Sequence, residues 1–379
     1  MIERKPKLPD ALYVHIPFCT KRCHYCAFTS FEQPELIDRY LKALEAEFQS
    51  LFPTPQAVAS IYLGGGTPTL LSAAQLESLG SILAKFTKQK TNCEFTVEAN
   101  PETVTEERFT VLKEIGVNRL SLGVQSFNPQ LLKKLGRKHT LTEIYRAVEL
   151  ANKLRINNFS LDLMLGLPAQ TVQDVISSLQ EAVRLNPMHL SCYLLKVEAE
   201  TPFARALAND NLELPTESEE LASFKVMQTL TEYGLKQYEL SNFARPGYKS
   251  KHNLTYWLNN EYYGLGCGAH GYVAGVRYAN TTSLMNYLER PTVRAEEKQV
   301  SQAEQMENFM IMGLRLLEGV SFNRFYELYN RKLQEVFGRE LQKLAAQKLL
   351  KITGDNAHLT SHGLLLSNEV FVEFVGCLI

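Results

Sequence analysis

Cys19, Cys23 and Cys26 share one eight-residue window, CTKRCHYC, spaced C-x3-C-x2-C. Thiolates are soft ligands, and three so close together point to a metal centre. A structural zinc ion takes four protein ligands in a tetrahedron. Here the fourth has to be His24, beside a cysteine that points elsewhere, His15, nearer the preceding segment, or the distant Cys93. A redox pair of Cys23 and Cys26 leaves Cys19 idle. A [4Fe–4S] cluster uses all three thiolates and leaves its fourth iron open. An open metal position is where chemistry can occur, as in catalytic zinc sites. On spacing alone the cluster accounts for the motif better than zinc or inert buried thiols, which remain the alternatives.

The elements around this loop must hold it. ALYVHI, residues 11 to 16, reads as a strand and PELIDRYLKALEAEFQSL as an amphipathic helix. AVASIYLGG is the next strand, followed by a helix from Ser72 with Gln75 in capping-box position. CEFTVEANP, RLSLGVQSF, FSLDLMLGLP and HLSCYLLKVE are further strands, with helices from about Thr105 and over TVQDVISSLQEAVRLN. These six βα-like units imply parallel strands joined by helical crossovers. They fit a doubly wound sheet or an incomplete barrel, and in both folds ligands sit beyond the carboxyl ends of the strands.

Polar and glycine residues collect at that edge. Gly64, Gly65, Gly66 and Thr67 follow the second strand, Glu98 the third, Gln125 the fourth and Asp162 the fifth, with Arg137 downstream. The glycines allow close backbone approach, although a tight βα turn explains them equally well. They lack the lysine of a P-loop and the spacing of a dinucleotide fingerprint. Glu98 can accept from a ribose hydroxyl or pair with an ammonium group. Arg137 can clamp a carboxylate. S-adenosylmethionine offers all of these groups, and its amino and carboxylate groups can chelate an open iron.

The chain has 379 residues, 45% of them apolar, and a formal net charge of −1. That is enough for a large core and a second domain, and it argues against a dedicated nucleic-acid binder. The start, MIERKPKLPD, has no apolar segment behind it, and no apolar run approaches the roughly 18 residues of a membrane span. A cytoplasmic location is expected. Cys93, Cys192, Cys267 and Cys377 are scattered and read as small buried hydrophobes rather than a disulfide framework.

Three domains are expected: residues 1–235 as the βα domain, 236–300 as a Gly- and Tyr-rich extension packed on it, and 301–379 as a smaller helical, winged-helix-like domain. Ser301 and Glu304 fit a capping box at the start of the last. The helical reading there runs through ELQKLAAQKLLKI, with a short hairpin and a last helix in HLTSHGLLLSNEVFVEFVG. Met306, Met310 and Met312 read as core.

CTKRCHYC resembles the signature of the radical S-adenosylmethionine superfamily. The resemblance implies a partial (β/α)6 barrel, with Cys19, Cys23 and Cys26 as the cluster ligands. YVHIPFC, GGGTPT, EANP, GVQSF, LGRKH and DLMLGLPAQT are similar to the oxygen-independent coproporphyrinogen III oxidase family over essentially the whole chain. In that family the residues matching Tyr13, Gly65, Gly66, Thr67, Glu98, Gln125, Arg137 and Asp162 contact S-adenosylmethionine, and the one matching Tyr25 lies near the adenine.

The family has an oxidase branch and a branch of heme chaperones. The oxidase carries a further cysteine just after the third ligand, where this chain has Ala27 and Phe28, and it is longer ahead of the cysteines. HNLTYW, residues 252 to 257, resembles the HNxxYW stretch of the chaperones, and His139 in LGRKH leans the same way. The resemblance implies a protein that binds heme and passes it to an acceptor haemoprotein, such as a respiratory enzyme, with the cluster governing transfer or formation of a homodimer. Lysine and arginine residues of the tail read as solvent-facing, with a docking face toward a membrane enzyme as the alternative. His252, Tyr256 and His270 are the heme-ligand candidates, although from its own stretch His252 reads more simply as a loop histidine beside core aromatics. The alternatives are the oxidase itself, decarboxylating propionates to vinyls, and a zinc-stabilised interaction protein.

Overall fold

The computed structural model describes residues 8–378. The charged stretch MIERKPK, which weighed against a secretory segment, lies outside the described residues. Six parallel strands come in chain order: β1 (Ala11–Ile16), β2 (Gln56–Gly65), β3 (Thr87–Ala99), β4 (Arg119–Gln125), β5 (Phe159–Leu165) and β6 (His189–Leu194). Between them run α1 (Ile37–Leu51), α2 (Ala73–Phe86), α3 (Glu106–Glu114), the pair α4 (Pro129–Leu135) and α5 (Leu141–Lys153), and α6 (Val172–Arg184). β4 and β5 are buried on nearly every residue, as parallel strands covered on both faces must be. The helices start where side chains satisfy the free amides of the first turn. Capping boxes pair Ser72 with Gln75, Thr140 with Glu143 and Thr171 with Asp174.

After α7 (Pro202–Ala208) and α8 (Glu217–Gln228), β7 (Lys236–Gln237) and β8 (Asn242–Ala244) extend the sheet antiparallel beyond β6. α9 (Lys251–Trp257) leads to β9 (Tyr263–Leu265), which pairs parallel with β1 on the opposite edge. The nine-strand order is β7-β8-β6-β5-β4-β3-β2-β1-β9. The first six strands form the partial α/β barrel expected above.

Residues 270–299 form an antiparallel meander that sequence reasoning missed: β10 (His270–Val273), β11 (Val276–Asn280) and β12 (Arg294–Gln299), with α10 (Leu284–Glu289) between the last two. β12 is RAEEKQ, exposed on most residues, and carries no apolar alternation to read. The last segment packs α11 (Gln302–Gly313), β13 (Val320–Ser321), α12 (Phe322–Tyr329), α13 (Leu333–Ala346), β14 (Leu350–Thr353), β15 (Asn356–Leu359), α14 (Ser361–Leu365) and α15 (Ser367–Val372) around its own core of Met306, Met310, Phe325, Phe337 and Leu341. Helices with a three-stranded β13-β15-β14 sheet make it winged-helix-like. α13 stops at Ala346, earlier than the helical periodicity suggests, and the following LKIT becomes a hairpin strand closed at Gly354, whose φ is +59°. Among the described residues no helix is long and apolar enough to cross a membrane.

Candidate functional site at the carboxyl rim of the barrel

The cysteine loop leaves β1 at Ile16 and is tied down at several points. Cys19 N–H donates to the Phe31 carbonyl and Phe31 N–H to that of Pro17. His24 N–H donates to the Leu135 carbonyl, and its Nδ1 to that of Lys134 at 2.9 Å, which ties this ring to the end of α4. His15, weighed above as a fourth zinc ligand, accepts from Tyr13 Oη at Nδ1 (2.7 Å) and donates from Nε2 to the Thr29 carbonyl (2.8 Å). That pattern fixes its tautomer, and burial holds its pKa down at about 4.

One hydrogen-bonded chain joins two of the cysteines across three strand ends. Thr67 Oγ1, after β2, lies 3.6 Å from Cys19 Sγ and accepts from Asn100 Nδ2, after β3, at 2.8 Å. Asn100 Oδ1 accepts from Arg137 Nη2 at 2.7 Å. Arg137 also donates from Nη2 to the Gly123 carbonyl at 2.6 Å, and its Nη1 lies 3.6 Å from Cys23 Sγ. Since Thr67 Oγ1 already accepts from Asn100, its own hydrogen is free to point at Cys19. Asn100, placed by its sequence at the end of the third strand without a role, and Gly123, which was not singled out, are the neighbours that complete this chain.

Arg137 is buried, which opposes its charge, but Tyr25, Cys23 and Glu102 beside it outweigh that and raise its pKa. Its Nε is buried and has no partner among the described residues. Behind it, His139 is held between the Val124 carbonyl (Nε2, 3.1 Å) and Glu102 (Nδ1, 3.4 Å, long for a hydrogen bond). Burial pushes the Cys19 and Cys26 thiols up, and both also feel Cys23. Among the described residues no three His, Cys, Asp or Glu side chains close on a point that suits one metal ion. The three cysteines are instead near enough to act on one another without converging. That suits a cluster, which takes each thiolate at a different iron.

The glycine turn is explained first by packing. A Cβ on Gly65 (φ +107°) would lie 2.4 Å from the His15 ring, and one on Gly66 2.6 Å from the Phe18 carbonyl oxygen. The amides are already engaged: Gly65 N–H with Glu98, Gly66 N–H with Ile16 and Thr67 N–H with Phe18. The turn is therefore no anion cradle, and any backbone contact it makes to an ammonium group comes from carbonyls.

Glu98 also accepts from Tyr62 Oη at 2.8 Å, and burial with a contribution from Asp162 pushes it up to about 7. Asp162 is raised by burial, opposed by hydrogen bonds that include Ser121 at 2.8 Å and Ser160 at 3.1 Å. Gln125 has φ +64° and follows a bulge between Leu122 and Gln125. The bulge turns the end of β4 and re-aims this side chain beside Gly123. Tyr25 packs against the small apolar cluster of Leu131, Leu135, Met164 and Phe203; burial, Cys23 and Cys26 raise its pKa against the pull of Arg137. Gly65, Gly66, Thr67, Glu98, Gln125, Arg137 and the cysteine loop thus gather at or just inside one rim. Tyr13 and Asp162 each stand three residues short of the ends of β1 and β5, deeper within the barrel.

The heme-ligand candidates lie elsewhere. His252, on α9, is 1% exposed. Its Nδ1 meets Ser60 Oγ at 3.0 Å, its Nε2 meets Tyr256 Oη at 2.8 Å, and its ring stacks on Tyr62. Both nitrogens are occupied, so this conformation offers no imidazole to a heme iron, and Tyr256 spends its hydroxyl on the same contact. His270, at the start of β10, is exposed. It lines a cleft of about 390 Å³ with Tyr256, Trp257 and Tyr272. Met306 and Met310 are core as expected, whereas Met312 is half-buried and faces this cleft.

The radical SAM superfamily profile matches residues 13–182, and the HemN C-terminal domain profile residues 300–366. The heme chaperone HemW of Bacillus subtilis is 42% identical over 96% of this chain and 98% of its own length. HemW of Haemophilus influenzae is 38% identical (98% of this chain, 99% of its own) and that of Escherichia coli 35% (97% and 99%). The coproporphyrinogen III oxidase HemN of Escherichia coli superposes with a TM-score of 0.86 at 24% identity, covering 99% of this chain and 92% of its own, which establishes a shared fold. This chain belongs to the radical SAM superfamily and, among its HemN-like members, to the HemW branch.

Proposed function

We propose that this chain is a heme chaperone: it binds heme, carries a [4Fe–4S] cluster with S-adenosylmethionine, and delivers the heme to an acceptor haemoprotein. Near full-length likeness to proteins named heme chaperone HemW carries this reading over the oxidase alternative, which has the shared fold in its favour. Cys19, Cys23 and Cys26 hold the cluster. When bound, the cluster and S-adenosylmethionine supply one-electron chemistry at the rim. Arg137 and Thr67 place hydrogen-bond donors on two of the ligating sulfurs, and such bonds tune a cluster's potential. Tyr13, Gly65, Gly66, Glu98, Gln125 and Asp162 surround S-adenosylmethionine, and Tyr25 lies by its adenine. The acceptor is a respiratory haemoprotein reached from the cytoplasm, with peripheral contact at the membrane, and the cluster state governs a homodimer.

The test uses protein loaded anaerobically with iron and sulfide. Heme is titrated in one arm, and coproporphyrinogen III with S-adenosylmethionine is supplied in the other. Heme binding at stoichiometric levels without protoporphyrinogen IX is expected. Protoporphyrinogen IX without heme binding would turn the assignment to the oxidase.

A further inference from the structure

The sequence offers three heme-ligand candidates, and only one is presented to a ligand. His252 is locked from three directions. Glu94 accepts from the backbone amides of Lys251 and His252 at 3.0 and 2.9 Å and fixes the start of α9. Ser60 and Tyr256 occupy the two ring nitrogens, and Tyr62 covers the ring face at a centroid distance of 5.1 Å. Freeing this imidazole means breaking two buried hydrogen bonds and opening a packed aromatic cluster. Tyr256 fares no better, since burial raises its pKa well above the ordinary value and disfavours a phenolate.

His270 differs in each respect. Its side chain forms part of the wall of the cleft between α9, β10–β11 and α11. The volume of about 390 Å³ falls within the roughly 300–1,000 Å³ of small-molecule sites. Tyr262, Tyr272 and Tyr278 join Tyr256 and Trp257 in lining the cleft, and aromatic faces suit those of a macrocycle. Met312 adds a thioether, and Arg277, over the Tyr272 ring at 5.5 Å, adds a guanidinium suited to a carboxylate. The Trp257 indole N–H is buried and meets no acceptor among the described residues. Imidazole, aromatic faces and a cation around one opening match heme iron, porphyrin plane and propionate.

We propose that His270 is the axial ligand of the bound heme, seated in this cleft with Arg277 at a propionate, and that His252 is a positioning residue that holds Tyr256 in the cleft wall. The assignment rests on the heme-chaperone reading above. It also places the heme close to the cysteine loop, because a Cβ on Gly268, two residues before His270, would lie 2.6 Å from Thr29 Oγ1, and Thr29 closely follows Cys26.

The test is a hemin titration of the full, cluster-loaded chain, followed by Soret absorbance and by electron paramagnetic resonance of the ferric heme. His270→Ala should lose the histidine-ligated spectrum and bind heme at least about ten-fold more weakly. Added imidazole should restore that spectrum by entering the vacated position. His252→Gln, which keeps a hydrogen-bonding side chain but no imidazole, should retain the wild-type ligand spectrum. Arg277→Ala should keep the spectrum and weaken binding by a few-fold. A His270→Ala protein with the wild-type spectrum overturns the assignment, as does loss of the spectrum in His252→Gln. If wild-type protein takes up no heme at all, the chaperone reading itself falls, whereas heme bound with indifference to His270 overturns only the ligand.

Discussion

At the barrel rim, Cys19 and Cys23 are linked through Thr67, Asn100 and Arg137, side chains from the loops after β2 and β3 and from the α4–α5 connection that follows β4. At the aromatic cleft, the residues proposed to meet heme come from segments placed by distant carboxylates. Glu94 fixes the start of α9 from more than 150 residues upstream. Glu47, on α1, accepts from Gly266 N–H at 2.8 Å, Tyr287 Oη at 2.6 Å and Arg294 at 2.8 Å, and so pins β9, α10 and β12 to the barrel. The rim is assembled in sequence order and the cleft against it. A rim built on consecutive strand ends can be rigid with few contacts, because each donor sits on a neighbour in the sheet. A cleft built from long-range capping depends on buried charges that must all be satisfied at once.

The largest effect that tests this contrast is the loss of a thiolate. Replacing Cys19, Cys23 or Cys26 with alanine should abolish the cluster, read as loss of iron, labile sulfide and visible absorbance. Cys93→Ala and Cys377→Ala should keep all three signals, since these thiols are away from the rim. Retention of a full cluster in any one of the three rim variants would remove that cysteine from the ligand set.

Arg137→Met comes next. It leaves Asn100 Oδ1 and the Gly123 carbonyl without their donor, and Glu102 without a nearby cation. Breaking a buried charged network of this kind costs about 3–5 kcal/mol. Urea denaturation of the cluster-free chain should show a loss of that order. A loss under about 1 kcal/mol would mean that the rim is held by its strands alone.

The two regions should also answer pH with opposite signs. Glu98 ionises at about 7 in the folded chain against an ordinary 4.5, so the folded state holds a proton that the unfolded state has released. Its contribution to stability therefore falls as pH rises between about 4.5 and 7, by at most about 3 kcal/mol. His252 is held down at about 3 by burial, so its contribution is present above about 6.5 and is lost as pH falls toward 3. Denaturation midpoints across pH 4.5–6.5 should therefore rise more steeply with pH in Glu98→Gln than in wild type, and less steeply in His252→Gln. A shared direction of change would refute the separation.

Much of the rim was legible because its chemistry is written locally. The cysteine triplet, the turn after β2 and the carboxylate of Glu98 each follow a recognisable strand, and strand order places them on one edge. What pattern reasoning could not supply is which neighbour each side chain takes. Nothing in EANP says that Asn100 bridges Thr67 and Arg137, and nothing in GGGTPT says that its amides are consumed by β1 and Glu98. The meander was hidden because β12 has no apolar period, and the fate of His252 because Ser60 and Glu94 lie far off in sequence. HNLTYW shows a histidine beside aromatics, whereas only the fold shows that its ring is enclosed and that His270 is the one left open.

The smallest predicted effect probes the tightest point of the rim. A Cβ on Gly123 would stand 2.9 Å from Arg137 Nη2, 2.9 Å from Gln125 Nε2 and 3.1 Å from Asn100 Oδ1. The Gln125 amide can swing away at little cost. Arg137 cannot, because the same nitrogen is bonded to Asn100 and to the Gly123 carbonyl. Gly123→Ala should therefore cost about 1–2 kcal/mol by overpacking and should shift the guanidinium off Cys23. The cluster should still assemble, since no ligand is removed, but the resonance spectrum of its reduced form should change with the lost donor to sulfur. Gly338→Ala, in α13 with nothing within 4 Å of the added carbon, should leave that spectrum alone and be neutral or slightly stabilising. If both variants behave as Gly338→Ala is expected to, Arg137 has room that the rim geometry denies it, and the chain of donors between the cysteines is looser than its distances imply.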